Sequence, residues 1–585
     1  MRFLSNVLAV IVGLLIFWVI GFFILAGVIA LSSGESKVRT VENSVLHLNL
    51  ENVVIVEQGV EDELAIPTFG SFGNVPTIGL DQLKRAIKTA RTDDNIKGIY
   101  LQAGGVAAGQ SMLSELRDEL QAFKDAGKFI VSYSEVLTEM GYYLSSVADE
   151  IYLNPLGAIE FNGLSSEMVF MKGLFEKIEV QPVIFRVGEF KSAVEAFTLD
   201  KMSEENRLQT EAYLQDLNDH TLRHIASSRS IDFERLKEIN DQMLVKDPKD
   251  AVELGLIDGL WYDDQVKDLL RDKLGLGEDE DIASINVTNI NKTAKSENRL
   301  SRNRIAVIIA DGEIVSGEAD GVISSEKFLR EIREARKDDD IKAIVLRVNS
   351  PGGSVLASEV IWRELSEAQK QKPLIASMSD VAASGGYYIS APADTIVAHP
   401  NTITGSIGIF GLWFNAQGLL NNKLGITTDV AKTGEFSDFM TPTRPLSEVE
   451  QKVIQRQVED GYDVFISRVA EGRNMSKEAV MEVASGRVWS GLQAKEIGLV
   501  DVLGGLEDAI KIAAAKAGVE DDYRVLYFPE QKTMLEKLLA EFSQDVQSRY
   551  MRMKLGSAYY IYQQIEKVKQ HEGIMVRLPY DISLR

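Results

Sequence analysis

A serine hydroxyl becomes a useful nucleophile when a base takes its proton and N–H groups receive the oxyanion formed by its attack. Ser384 lies in AASGG (382–386), after an apolar run at 374–378 and before a helix-like stretch beginning near Gly386. A serine placed there often does no more than cap the helix. The alternative is a nucleophile whose oxyanion meets the N–H groups of Gly385 and Gly352, helped by the helix dipole. Gly352 sits in NSPGGS (349–354), directly after the apolar run 341–348. Paired glycines after a strand let the backbone approach a ligand closely, although most Pro-Gly-Gly runs are plain turns.

The base is less obvious. There are five histidines (His47, His220, His224, His399 and His571), none in an HExxH-type pair, and His399 precedes a proline and reads as structural. The chain has no cysteine, which excludes thiol nucleophiles, disulfides and cysteine-ligated metals. A lysine can replace histidine where burial lowers its pKa. The search for that lysine runs through a duplication.

SYSEVLTEMGYYLSSVADEIYLNP (132–155) lies over SMSDVAASGGYYISAPADTIVAHP (377–400) at an offset of 245, with 11 of 24 positions identical. IKGIYL (96–101) matches IKAIVL (341–346) at the same offset, and AVELGLIDGL (251–260) returns as AKEIGLVDVL (494–503). That period is too long for a solenoid and marks two homologous domains. The copies differ where chemistry is at stake. Gly352 and Gly353 face Ala107 and Ala108, and Ser384 faces Glu139. Conversely RVGEFKSAVEAF (186–197) lies over AKTGEFSDFMTP (431–442), so that Lys191 faces Ser437. A lysine after Gly-Glu-Phe is ordinarily one more solvated charge. The complementary losses point instead to one composite site in which Ser384 and Lys191 meet between the domains.

Elements that would position such a site are legible. Short apolar runs at 96–101, 129–132, 151–153, 341–348, 374–378 and 395–398 predict buried parallel strands. Amphipathic stretches at 113–126 and 354–370 predict helices between them. The alternation implies an α/β fold with a mainly parallel sheet.

The motifs FRVGEFKSAVEAF, NSPGGS, SDVAASGGYYIS and TITGSIGIFG, in two tandem units behind an apolar N-terminus, resemble the signal peptide peptidase A (protease IV) family in its long, duplicated form. The resemblance covers nearly the whole chain. It implies two tandem Clp protease/crotonase-like domains built of β-β-α spiral repeats. Ser384 would be the nucleophile, Lys191 the general base and Ser406, in TGSIG, the residue that orients the lysine. Gly352, Gly353 and Gly385 would form the oxyanion hole. It further implies a homotetramer acting on signal-peptide remnants and other apolar peptides at the membrane, with no metal or organic cofactor.

The 25 residues from 7 to 31 carry no charge, enough to cross a hydrocarbon core of about 30 Å and too long for a cleaved signal peptide. The expected order is therefore a short tail (1–6), a transmembrane anchor (7–31), a lysine-bearing domain (40–290) and a linker (291–304). A serine-bearing domain (305–525) and a helical extension (526–585) follow. We expect a single-pass protein of the bacterial cytoplasmic (inner) membrane, its body facing the periplasm. The net charge of −24 repels phosphate backbones and makes nucleic acid an unsuitable partner. Two other readings stay open: a crotonase-like enzyme of acyl-CoA thioesters, which the same charge disfavours, and a catalytically silent membrane scaffold.

Overall fold

The computed structural model describes residues 38–59, 76–294, 301–529 and 573–578, with four single positions (13, 16, 17 and 20) in the N-terminal run. The expected anchor at 7–31 thus lies almost wholly outside the described residues, among which no helix is long and apolar enough to cross a membrane.

The first copy contributes β1 (Ser44–Asn49), β2 (Val54–Val56), β3 (Thr77–Gly79), β4 (Ile96–Gln102), β5 (Phe129–Leu137), β6 (Glu150–Ile159), β7 (Gln181–Val187), β8 (Gly259–Leu260) and β9 (Ser284–Asn286). Six of these form a parallel sheet in the order β8-β6-β5-β4-β1-β9. Parallel strands are covered on both faces, which is why β4 and β5 read as near-continuous apolar runs rather than alternating ones.

The second copy contributes β10 (Arg304–Asp311), β11 (Ile314–Val315), β12 (Ile323–Ser324), β13 (Ile341–Ser350), β14 (Gly352–Ser354), β15 (Leu374–Ala383), β16 (Thr395–Ala398), β17 (Ile403–Gly405), β18 (Ile409–Asn415), β19 (Val488–Ser490), β20 (Val502–Leu503) and β21 (Arg524–Phe528). Its main sheet runs β19-β17-β15-β13-β10-β21, with β16 also paired to β15 and β20 paired to β16. The order matches the first copy strand for strand at β8/β20, β5/β15, β4/β13, β1/β10 and β9/β21. Predicted strands and helices fall where expected, but the strands run on at their C-terminal ends, β5 to Leu137 and β15 to Ala383.

A third sheet departs from the mainly parallel expectation. Its order is β12-β11-β14-β22-β18-β7, where β22 (Gly573–Arg577) comes from the far C-terminus. β7 of the first copy pairs antiparallel with β18 of the second along its whole length, from Val187↔Ile409 to Gln181↔Asn415. The expected helical extension over 526–585 is corrected at both described ends: Arg524–Phe528 is a strand paired with β10, and Gly573–Arg577 is a strand of the third sheet. β-branched and aromatic residues there pair with open strand edges, which outweighs local helical patterning. Residues 530–572, where that patterning is strongest, lie outside the described residues. The expected linker also shrinks, because helix Val287–Thr293 and the start of β10 occupy its two ends.

A buried charge cluster ties the copies together. Arg347, on β13 and fully buried, pairs with Glu57 at 2.9 Å and with Glu115 at 2.7 Å, both from the first copy. Burial opposes the charge, but the two carboxylates hold the guanidinium firmly protonated. Asp380 accepts hydrogen bonds from the N–H groups of Ser111 (2.8 Å) and Met112 (3.1 Å), at the start of helix Gln110–Asp125. Charges buried this way need such complete pairing, which fixes how the two units dock.

Candidate active site

Ser384 sits between β15 and helix Gly385–Ser390 with φ 56° and ψ −112°. A positive φ is strained for a non-glycine residue and turns the side chain away from the helix it precedes. Accordingly Ser384 Oγ makes no capping bond. In the first copy, Thr138 at the corresponding junction does cap, accepting from Gly141 N–H at 3.2 Å. The capping alternative for Ser384 is therefore not what the structure contains. Backbone bonds fix the strained residue, with Ser384 N–H donating to Gly405 O (2.8 Å) and Tyr388 N–H to Ser384 O (2.8 Å).

Lys191 arrives from the first copy, four residues beyond β7, because β7 is stitched to β18. Its Nζ lies 2.8 Å from Ser384 Oγ, 3.0 Å from Ser406 Oγ and 3.0 Å from Ser406 O. Lys191, Ser384 and Ser406 are each 0% exposed. Burial, with no carboxylate beside it, pushes the Lys191 amine well below the usual lysine range. The lysine backbone is pressed against Gly486, which has φ 79°. A Cβ on Gly486 would stand 2.7 Å from both Lys191 N and Lys191 Cβ. Only a residue without a side chain fits there.

The loop that carries Lys191 is held by groups that the sequence motifs contain but do not explain. Gln209 on helix Glu204–Arg229 donates to Phe190 O (3.1 Å) and Ser192 Oγ (3.0 Å), while its Oε1 accepts from Val488 N–H (3.0 Å) of the second copy. Ser192 Oγ donates to Asn206 Oδ1 (2.9 Å), and Asn206 donates to buried Glu195 (2.9 Å). Ser192 and Glu195 are visible in KSAVEAF, but nothing in their spacing points to Gln209 or Asn206.

Of the candidate oxyanion glycines, Gly352 N–H donates to Ser350 Oγ at 3.2 Å. A Gly385 Cβ would stand 3.0 Å from Gly352 Cα and 3.1 Å from Gly353 N, so both glycines pack beside Gly385, and it is the Gly352 N–H that Ser350 engages. A Cβ on Gly353 would come within 2.0 Å of Ile314 O, which explains why this strand needs glycine.

The remaining candidates lie apart. His399 is 5% exposed, with its ring 5.5 Å from that of His220, and burial first, then the neighbouring charge of His220, pushes it down to about 3. It packs between the copies and has no bond to Ser384. Ser437, facing Lys191 in the duplication, closes an exposed turn by accepting from Gly434 N–H (3.1 Å). Glu139, facing Ser384, accepts from Gly163 N–H (2.9 Å), Asn162 N–H (3.0 Å) and Asn240 (2.9 Å), and so serves the architecture of the first copy. Among the described residues no cluster of His, Asp and Glu could hold a metal ion.

The arrangement is one that acyl transfer could use: a serine hydroxyl in contact with an amine whose pKa burial lowers, near a pair of glycines. Comparison with known proteins agrees. The profile of Peptidase family S49 matches twice, at residues 122–277, which include Lys191, and 366–520, which include Ser384. Protease 4 of Salmonella typhi is 33% identical over 545 residues, covering 90% of this chain and 87% of that protein. Protease 4 of Haemophilus influenzae is 32% identical over 80% of this chain and 78% of its own length. A putative signal peptide peptidase SppA of Enterococcus faecium is 39% identical over 40% of this chain and 71% of its own. A solved structure of a ClpP1 point mutant from Listeria monocytogenes is 16% identical, with a TM-score of 0.24, over 35% of this chain and 94% of its own. With both copies matched and the relatives spanning most of the chain, this protein belongs to peptidase family S49 and is a serine-type peptidase.

Proposed function

We propose that this chain is a membrane-anchored endopeptidase with a Ser384/Lys191 dyad that degrades cleaved signal peptides and other apolar peptides. One observation carries the reading: a fully buried lysine with a lowered pKa touches the hydroxyl of a strained, uncapped serine at 2.8 Å. A neutral amine has two N–H groups and one lone pair. Ser406 O and Ser406 Oγ take the N–H groups, which aims the lone pair at the Ser384 hydroxyl. Lys191 accepts the Ser384 proton as Oγ attacks the scissile carbonyl, and the N–H groups of Gly353 and Gly385 receive the oxyanion. The resulting ammonium protonates the leaving amine. Water then attacks the acyl-enzyme with Lys191 again as base. No cofactor enters any step.

The apolar run at 7–31 supports an anchor in the bacterial inner membrane with the body on the periplasmic side, where released signal peptides are met. The duplication supports a homo-oligomer. β7 joins β18 within the chain, yet among the described residues neither of the counterpart segments, 427–433 and 164–170, pairs into a sheet. Pairing them between protomers repeats the same joint head to tail and closes a ring, a tetramer by family resemblance. Val430 and Val169, 48% and 71% exposed, would be covered by it.

The test is a fluorophosphonate probe on the folded protein. Covalent labelling mapped to Ser384, lost in Lys191→Ala, supports the dyad, whereas an unlabelled Ser384 would favour the thioester or scaffold readings.

A further inference from the structure

We propose that Gln209 is a positioning residue of the dyad: its buried amide, on helix Glu204–Arg229, holds the Lys191 loop against residues 485–488, so that the amine meets Ser384 only while the two copies are docked there. The inference rests on the peptidase reading above. It adds how a base from one copy is set on a serine of the other.

Lys191 has to be placed by its neighbours, since its own amine is committed to Ser384 and Ser406. Gln209, 1% exposed, bonds both of them: its Nε2 donates to Phe190 O (3.1 Å) and to Ser192 Oγ (3.0 Å), on either side of the lysine. Its Oε1 accepts from Val488 N–H (3.0 Å) of the second copy. The orientation of the amide is fixed, because Phe190 O can only accept and Val488 N–H can only donate. A carboxylate lacks the donors and an ammonium lacks the acceptor. Methionine, of similar length, offers no donor and only a weak acceptor.

The segment that Gln209 reaches also holds the other side of the site. Ser485 O accepts from Phe190 N–H (3.0 Å) and Arg487 O from Ser406 N–H (2.7 Å), while Gly486 N–H donates to Ile407 O (2.8 Å). Residues 485–488 therefore bind the lysine loop on one side and, on the other, Ser406 with both oxygens that orient the amine. About one helical turn beyond Gln209, Tyr213 lies in a buried apolar cluster with Val488 and with Ala383, the residue before Ser384. The same helix thus borders the neighbours of both members of the dyad.

The duplication ties this role to the lysine. Helix Glu448–Arg473 is the second copy's counterpart, equal in length at 26 residues and likewise capped by a serine, Ser447 for Ser203. Aligned on those caps, Gln209 falls on Val453, 44% exposed, in the copy where Ser437 stands in place of Lys191. The amide is present where the lysine is and absent where the lysine is absent.

The test uses the full chain with Gln209→Met, and with Asp216→Ala as its control. Asp216, about two turns along the same helix, accepts from Ser490 Oγ (2.6 Å) on the same strand β19 but bonds neither flank of the lysine. KM and kcat are measured on a fluorogenic apolar peptide, with the rate of fluorophosphonate labelling at Ser384, urea midpoints and circular dichroism. Gln209→Met should lower kcat and the labelling rate about a hundredfold and leave KM within about twofold, since a misplacement of about 1 Å costs that much in rate. Asp216→Ala should lower the urea midpoint and keep the parental kcat. Gln209→Asn, whose amide is one methylene short of its partners, should fall between Gln209→Met and the parent. A kcat for Gln209→Met within about threefold of the parent, at unchanged dichroism, would overturn the proposal. So would an equal loss of kcat in Asp216→Ala, which would assign the effect to helix docking as a whole. Where Gln209→Met does not fold, Gln209→Asn decides, and a parental kcat there would overturn the proposal as well. Absence of labelling in the parent itself would instead refute the nucleophile, and this inference with it.

Discussion

Replacing Lys191 with methionine should make the protein more stable at neutral pH while abolishing its activity, and the size of the gain should depend on pH in a defined way. Lys191 is fully buried and its amine is pushed well below the usual value of 10.5 by desolvation. Between the folded-state pKa and 10.5 the unfolded chain therefore binds one more proton at this residue than the folded chain does. Stability then rises with pH across that window, by about 1.4 kcal/mol for each pH unit from this residue alone. Below the folded-state pKa the penalty is constant. Methionine has similar bulk and no proton to bind, so the advantage of Lys191→Met over the parent should shrink by about 1.4 kcal/mol per unit as pH rises toward 10.5. Loss of the contacts to Ser406 O and Oγ adds an offset that does not vary with pH. The slope is therefore the quantity to read. Urea denaturation of both proteins at half-unit steps from pH 7.5 to 9.5 supplies it, with Ser384→Ala as a control that keeps the lysine. Parallel stability curves for Lys191→Met and the parent would refute a lysine held neutral by burial, and with it the proposed base.

Other consequences follow from the same geometry. Ser384→Ala and Lys191→Ala should each reduce kcat by about 10⁴-fold or more, and the double variant should be no worse than either, because the pair acts as a unit. Ser406→Ala removes one of two oxygens that orient the lysine and should cost about 10- to 100-fold in kcat at little change in KM. Gly486→Ala should leave the protein folded but displace Lys191, lowering kcat by about a hundredfold, which rates and circular dichroism together will show. Arg347→Met should destabilise the docked copies by about 3–5 kcal/mol in urea melts, since Glu57 and Glu115 lose their shared partner. Burial and the charge of Glu57 push Asp380 from 3.8 up to about 7, so the folded state holds the extra proton and stability falls as pH rises between those values. Asp380→Asn should flatten that dependence.

The two copies, their strands and the meeting of Ser384 with Lys191 were legible because each rests on local pattern or on comparison of one half with the other. Apolar runs bounded by polar ones gave β4, β5, β13, β15 and β16 with their starting residues. The complementary loss of Ser384 in one copy and Lys191 in the other pointed to a shared site without any distance being known, and the structure brings the two to 2.8 Å. Ser406 was carried by resemblance alone, and its two contacts to Nζ come from a backbone turn with φ 50° that no spacing rule announces.

What only the tertiary structure decided concerns partners far apart in sequence. β7 lies 222 residues or more from the β18 strand it completes, and hydrophobic patterning records which face of a strand is buried but not against whom. The same limit hid Arg347 with Glu57, and Gln209 with Val488, because a buried charge or amide is defined by the groups that satisfy it. It also hid the distinction between Gly352 and Gly353, which turns on where a single N–H points. Most of all it hid β22, whose short sequence became a strand only because β14 and β18 leave an open slot for it. Sequence sets what each segment can bury and which side chains can react. The pairing of open edges and buried charges across the duplicated halves sets which of them meet.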